Sequence, residues 1–422
     1  MRVLILADSC NPAWPSLPVV GFKLCCALGD LVEATVVTQV RNRPEIEKVG
    51  MGRCAVHYVD NEYVGAPLYK LTKLLRHGDS VGWTTNIAMS YPTYLSFEWE
   101  VEKAFGADLK AGRFDLVHRV TPMSPTLPSP MAGWSPVPFI LGPLNGGLKW
   151  PAEYRGELKR EREWLTFVRG AYRRLPYHRG TYTHSAGILA AFQHTVDDLP
   201  SECRARVFNV PEVGVDPDLF SEPERRVAGG PLTFLFAGRL VPYKCPDVVV
   251  AAFAESPLLR RHVLRIVGEG PERPRLEALV EQFELQDCVH FAGRLTQAEV
   301  GDEMRAADVF VFPSIRELGA GVIVEAMACG LPCVVVDYGA PGTLIDDTRG
   351  VRVPLGPKME MTRDFARALE DLAGHPETIA KLGNEAARHV NTHYSWAAKA
   401  RGILEIYDWV LKRRADRPAI PT

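Results

Sequence analysis

Short apolar runs alternate with longer amphipathic segments along almost the whole chain, and this alternation restricts it to parallel sheets wrapped by helices. A parallel strand is covered on both faces and so reads as a continuous apolar run, and each return to the next parallel strand needs a crossover long enough for a helix. The strand candidates in the first half are residues 2–7, 34–38, 55–59, 116–118, 139–141, 187–191 and 206–210. In the second half they are residues 232–237, 263–267, 289–292, 309–312, 333–336 and 351–353. Two doubly wound α/β sheets of Rossmann-like type are expected.

With 422 residues the chain exceeds one ordinary core at roughly 150 residues per domain. Residues 216–231 are polar and rich in Pro and Gly, as a linker is, and place the boundary near residue 225. The expected division is 1–220, 221–395, and a terminal helical segment, 396–422. In that segment Ile403, Ile406, Tyr407 and Val410 share one face, which suits a helix packing back on the first domain. Residues 61–113 show no clear period and receive no assignment.

A net charge of -2 supplies no general field for nucleic acid, so any anion site must be local. The nine cysteines are scattered without CxxC spacing, which argues against a disulfide framework or a zinc site and for a reducing cytosol. The apolar start ends at Asp8 and reads as a first strand rather than a leader. No apolar run approaches the roughly 18 residues of a membrane span, so a cytoplasmic protein is expected.

The densest chemistry lies in residues 312–332, a strand, a glycine loop and a helix start. Glu317 stands in the loop and Glu325 in the helix, with seven residues between them, so that both can flank one ligand. Gly319, Ala320, Gly321 and Val322 open the helix, where unpaired amides and the positive dipole end suit a diphosphate. Gly330 caps the helix and Pro332 stops it. Earlier, the segment Phe236–Asp247 leaves the second sheet's first strand with Gly238, Arg239 and Lys244 on one loop, at the carboxyl edge where open α/β sheets bind ligands. Arg239 as a planar fork and Lys244 as a point charge suit a departing diphosphate. Gly268 and the Ala292-Gly-Arg-Leu295 turn end the next two strands.

These motifs, in order and spacing from Phe234 to about Ile345, resemble the nucleotide-binding domain of retaining GT-B glycosyltransferases of the family-4 class. The resemblance implies a GT-B fold of two Rossmann-like domains facing a central cleft and a nucleotide diphosphate sugar as donor, with a UDP-sugar favoured. It implies that Arg239 and Lys244 hold the diphosphate, Glu317 meets the sugar hydroxyls, Glu325 meets the ribose diol, and the backbone at Arg294 and Leu295 receives the base. Three departures bear on loop shape and donor contacts. Cys245 stands where a glycine commonly follows the lysine, Leu318-Gly-Ala320 replaces Gly-Phe-Gly, and residues 339–343 lack a usual glutamate.

In the first half, His118 matches the first of two histidines that often end a strand in this family, with Val120 in place of the second. A satisfied core histidine is an equal reading of His118. Asn145, Gly146 and Gly147 form a strand-end turn whose amides suit phosphate or sugar. Residues 149–179 interleave basic and aromatic side chains. That pattern suits weak contact with the inner face of a membrane, although inward-packed aromatics on solvated helices are the favoured reading.

The expected activity is retaining transfer of a hexosyl group to a hydroxyl acceptor. Arg239, Lys244 and the helix amides serve in place of a metal, since no Asp-x-Asp motif is read in the chain, and no cofactor is expected. A sugar-nucleotide epimerase of the same fold, or a sugar-nucleotide-binding protein that has lost its chemistry, are the alternatives. A dinucleotide oxidoreductase ranks last, because the first strand leads into Asn11-Pro-Ala-Trp-Pro15 rather than a GxGxxG turn.

Overall fold

The computed structural model describes residues 1–67, 83–160, 171–223 and 230–420. The chain forms two compact units. The first comprises Met1–Gly147, Arg162–Glu212 and Trp396–Thr422, and the second Leu148–Glu161 with Val213–Ser395.

The first unit is built on a seven-stranded sheet of β1 (Arg2–Ala7), β2 (Glu33–Gln39), β3 (Ala55–Val59), β4 (Leu116–Thr121), β5 (Phe139–Leu144), β6 (Ser185–Ala190) and β7 (Val207–Asn209). Its order is β3-β2-β1-β4-β5-β6-β7, and every pairing is parallel. Burial on both faces follows from the two-residue period of β1. Val3, Ile5 and Ala7 join a core with Leu24 and Leu28 of the helix Leu17–Gly29, while Leu4 and Leu6 join Tyr94, Phe97 and Val101 of the helix Trp83–Lys110. The second of these helices occupies the stretch left unassigned from sequence. Pro92 inside it removes a backbone donor and interrupts the local pattern, while residues 68–82 lie outside the described part.

The final helix, Trp396–Val410, belongs to this first unit. Ile403, Ile406 and Tyr407 are fully buried in the same core as Val3 and Ile5.

The second unit has a six-stranded parallel sheet of β8 (Thr233–Ala237), β9 (Val263–Val267), β10 (Val289–Gly293), β11 (Val309–Phe312), β12 (Cys333–Val336) and β13 (Gly350–Val353). Its order is β10-β9-β8-β11-β12-β13, so the winding reverses between β8 and β11. The loops leaving the carboxyl ends of those two strands define the place where such a sheet holds a ligand.

Leu148–Glu161 comes from the first half of the sequence yet packs on this second sheet's elements. Tyr154 is buried, and its hydroxyl donates to the Gly356 carbonyl at 2.7 Å. Lys358 pairs with both Glu157 and Asp247 at 3.1 Å, and Arg160 pairs with Glu272. Tyr154, one of the aromatics behind the membrane expectation for 149–179, is therefore engaged inside the protein. Trp164 and Phe167 lie outside the described residues. Among the described residues no helix is long and apolar enough to cross a membrane.

Since Ile403 is fully buried against strands nearly four hundred residues earlier, Ile403→Ala is expected to cost the first unit about 2–5 kcal/mol. A urea titration followed by a probe in that unit measures it, and an unchanged midpoint would contradict the packing.

Candidate functional site

Four strand-end loops of the second unit are joined by main-chain hydrogen bonds before any side chain is considered. Gly238 donates to Val267 at 3.0 Å and Leu240 to Glu269 at 2.9 Å, which ties the β8 loop to the β9 loop. Gly268 donates to Gly293 at 2.8 Å, tying β9 to β10, and Ile315 donates to Tyr243 at 2.9 Å, tying β11 to β8. At Gly268, with φ +137°, an added Cβ would stand 1.9 Å from the Gly238 carbonyl oxygen, so the two loops approach as closely as backbone allows.

Two charged side chains meet across the reversal between β8 and β11. Lys244 ends the short turn Pro242–Lys244 after β8, and its Nζ donates to Glu317 Oε1 at 2.6 Å. The same oxygen accepts from Ser314 Oγ at 2.9 Å, and the Glu317 carbonyl accepts from Ala340 N at 3.1 Å. Gly339, with φ +65°, lets the backbone come this close, because a Cβ there would lie 2.7 Å from the Glu317 carbonyl oxygen. Lys244 Nζ also sits 4.5 Å from the centre of the Phe312 ring. The side chains of Lys244 and Glu317 are only 10% and 14% exposed, so each carries a charge that water barely reaches. The pair contributes little net stability, but removing one partner strands the other.

Arg239, on the same loop, is exposed and donates from Nη2 to the Tyr243 hydroxyl at 3.1 Å. The helix Gly321–Ala328 begins just beyond Glu317, with Ala320 at its N-cap and no side chain capping it. Its opening amides therefore form the kind of donor array that accepts an anion. Glu325 lies about one turn into this helix and is half-buried. Gly330, with φ +71°, closes the helix as expected, its amide donating to Met327 at 2.9 Å. Arg294 and Leu295 follow β10 directly and are exposed and half-buried respectively.

Two departures from the family pattern acquire a geometric meaning. Cys245 and Ala320, both at positions where the family commonly has glycine, adopt left-handed backbone with φ of +46° and +49°. The loops keep the glycine conformation and carry its strain, of order 1–2 kcal/mol for each residue.

The structure brings to the site residues that the sequence reading did not assign to it. Ser314 and Tyr243 were legible in principle as neighbours of the marked residues. Trp150 was not, because nothing in the first half of the sequence ties it to loops around residues 243 and 316. Its ring is met edge-on by Tyr243, with centroids 6.4 Å apart, and covered by the Arg316 guanidinium at 5.0 Å.

The candidates of the first unit are placed differently. His118 is fully buried; Tyr407 Oη lies 2.6 Å from its Nδ1 and the Gly142 carbonyl 2.6 Å from its Nε2. Burial pulls its pKa down to about 4, and both ring nitrogens have partners within the unit. Asn145 N donates to Met123 at 2.7 Å and Gly146 N to Thr195 Oγ1 at 3.3 Å, so two of the three amides expected to reach a phosphate or sugar are engaged within the unit. Gly147 adopts φ +79° close against His194 and Asp198. The Asn145 side chain donates to Glu212, a carboxyl whose pKa burial pushes up to about 7, while burial lowers the nearby Lys399 to about 8.

An Asp-x-Asp spacing does stand at Asp216-Pro217-Asp218, which corrects the expectation that the chain has none. Asp216 Oδ1 accepts from Asp218 N at 3.2 Å, closing a turn in the linker. Among the described residues no group of three His, Cys, Asp or Glu side chains is placed to hold a metal ion.

Residues 220–389 match the family described as glycosyl transferases group 1, a span that contains every element of the second-unit site except Trp150. Over these residues the chain is similar to the group 1 glycosyl transferases. It is 35% identical over 248 residues to a D-inositol 3-phosphate glycosyltransferase of Kineococcus radiotolerans, covering 53% of this chain and 57% of that one. A protein of the same description from Streptomyces bingchenggensis is 34% identical over 184 residues, covering 41% and 39%. The chain spans about half the length of the curated relatives it matches. Two solved structures share the whole fold. HepE of Anabaena in complex with UDP has a TM-score of 0.64 at 15% identity, covering 96% of this chain and 99% of that one. Sucrose-phosphate synthase of Thermosynechococcus elongatus has a TM-score of 0.63 at 18% identity, covering 98% and 100%. With the two parallel sheets, these likenesses make the fold GT-B.

Two outcomes follow from this geometry. Gly268→Ala is expected to force the β8 and β9 loops apart and lower the melting temperature by several degrees, and a differential scanning trace superimposable on that of the parent would contradict the close approach. Glu212 has a folded pKa above its unfolded one, so its contribution to stability is complete below about pH 4.5 and lost as pH rises through about 7. Glu212→Gln should therefore gain on the parent protein, by an amount on the order of 2 kcal/mol, between pH 5 and pH 7.5. His118, common to both proteins, cancels in that difference, and a constant gap in melting temperature across the window would refute the assignment.

Proposed function

We propose that this chain transfers a hexosyl group from a nucleoside diphosphate sugar to a hydroxyl acceptor, with retention at the anomeric carbon and without a metal ion. The observation that carries this reading is the Lys244–Glu317 pair at the sheet's reversal point, one loop away from an uncapped helix start. An ammonium and a carboxylate 2.6 Å apart can divide one ligand between them, the cation facing the diphosphate and the carboxylate the sugar hydroxyls.

In the proposed step the bond between the anomeric carbon and the diphosphate oxygen breaks while a bond to the acceptor oxygen forms on the same face. The acceptor's proton passes to an oxygen of the leaving diphosphate. Lys244, Arg239 and the amides of Gly319, Ala320, Gly321 and Val322 stabilise the charge that develops there. Glu317 holds the sugar and takes no covalent part. Glu325 takes the ribose, and the backbone of Arg294 and Leu295 takes the base. His118, Asn145 and Gly146 are left out, because their polar groups are engaged within the first unit.

UDP-glucose is the first donor to try, since solved structures of HepE carry UDP and UDP-glucose. D-inositol 3-phosphate heads the acceptor panel, after the description of the relatives. The true donor should raise the melting temperature by mass action. Lys244→Ala should lower turnover roughly 10²–10³-fold, and turnover near that of the parent would end the role given to Lys244. Donor incubated alone should stay unepimerised, and an altered sugar without acceptor would replace this reading with an epimerase.

A further inference from the structure

We propose that Trp150 is a positioning residue of the donor site, acting on Lys244 and Glu317 through the residue that precedes each of them. This inference rests on the transferase reading of that site. Tyr243 stands immediately before Lys244 and Arg316 immediately before Glu317. The indole of Trp150 touches both, receiving the Tyr243 ring edge-on at an interplanar angle of 88° and the Arg316 guanidinium over its face at 5.0 Å. On one side the two loops are joined by the ion pair itself. On the other they are joined by this aromatic wedge.

The wedge is itself held in place. Leu148 packs against Gly339, and the Lys149 carbonyl accepts from the Tyr338 hydroxyl at 2.8 Å, both next to the amide of Ala340 that grips Glu317. Further along the same segment the Tyr154 hydroxyl donates to Gly356 at 2.7 Å. Glu157 reaches Lys358 at 3.1 Å, and Lys358 also reaches Asp247, in the first turn of the helix that follows Lys244 and Cys245. Residues 148–160 therefore brace both flanks of the Lys244–Glu317 pair, with Trp150 against the residue before each member.

Arg316 and Tyr243 place their neighbours only if the backbone at each is fixed. A planar cation and an aromatic edge both have a preferred geometry on an indole, whereas an aliphatic side chain of similar bulk offers neither. Losing the wedge should leave the loops present but loosely registered, and misplacement of a reacting group by about 1 Å costs on the order of 10²-fold in rate.

The test compares Trp150→Phe, Trp150→Leu and Trp150→Ala with the parent, using UDP-glucose as donor and UDP alone as a binding probe. Trp150→Phe should keep turnover within about threefold. Trp150→Leu and Trp150→Ala should lose at least tenfold in kcat, with UDP affinity changed by less than about threefold. Equal impairment of the Phe and Leu variants, or full activity of the Leu variant, would overturn the proposal. Should the parent protein neither bind nor turn over any nucleotide sugar, the transferase reading fails by itself. The wedge is then judged by denaturation: Trp150→Leu and Lys244→Met should lower stability non-additively if the wedge acts through Tyr243 and Arg316, and strict additivity would refute it.

Discussion

The Lys244–Glu317 ion pair organises the second unit's chemistry, because it spans the single place in the sheet where the winding changes direction. Strands β8 and β11 are neighbours there, but their outgoing connections run opposite ways, leaving room at the carboxyl edge. The pair stands over that opening with little access to water. Such an arrangement is a poor investment for stability, since desolvating two charges offsets most of their attraction. Its value is geometric. Each charge fixes the position of the other, with Ser314 holding the same Glu317 oxygen.

Everything around the pair limits its freedom. The β8, β9, β10 and β11 loops are linked in series by main-chain hydrogen bonds, so displacing one displaces the next. The Glu317 carbonyl is gripped by Ala340 N, its carboxylate by Ser314, and Lys244 rests on Phe312. At Cys245 and Ala320 the chain accepts left-handed backbone without the glycine that would relieve it. Both residues stand at helix N-caps, after Lys244 and before Gly321, where a shift of a few tenths of an ångström would re-aim an ammonium group or a row of amides. Strain at such positions persists only where surrounding structure over-determines it.

Much of this was readable from residue order alone. Each apolar run named from residue 2 to residue 353 overlaps a strand, because a strand buried on both faces has no polar positions to disguise it. The 312–332 segment was legible for the opposite reason: its glycines, carboxylates and closing proline are too specific to be ordinary loop. The failures have physical causes as well. His118 inside β4 and the Asn145-Gly146 turn after β5 have the look of ligand positions, and whether Tyr407 meets His118, Glu212 meets Asn145 and Thr195 meets Gly146 depends on residues far away in sequence. Helix Trp83–Lys110 is hidden by Pro92 and by a run of Ser, Thr and aromatic residues. Trp150 is invisible for a topological reason, because a segment from the first half of the chain is spent on the second unit.

The final helix sets the order in which the chain can become structured. Ile403, Ile406 and Tyr407 fill the core beside Val3 and Ile5, and the Tyr407 hydroxyl meets the imidazole of His118. During synthesis the second unit has all its strands, and the earlier 148–161 segment, once residue 395 has emerged. The first unit, although begun first, still lacks the helix that completes the core shared by β1 and the helix Leu17–Gly29. The usual amino-to-carboxyl sequence of domain folding is thereby reversed at its last step. Until residues 396–410 have emerged, the apolar surface that Ile403, Ile406 and Tyr407 come to cover is the part of this unit that most needs protection from aggregation.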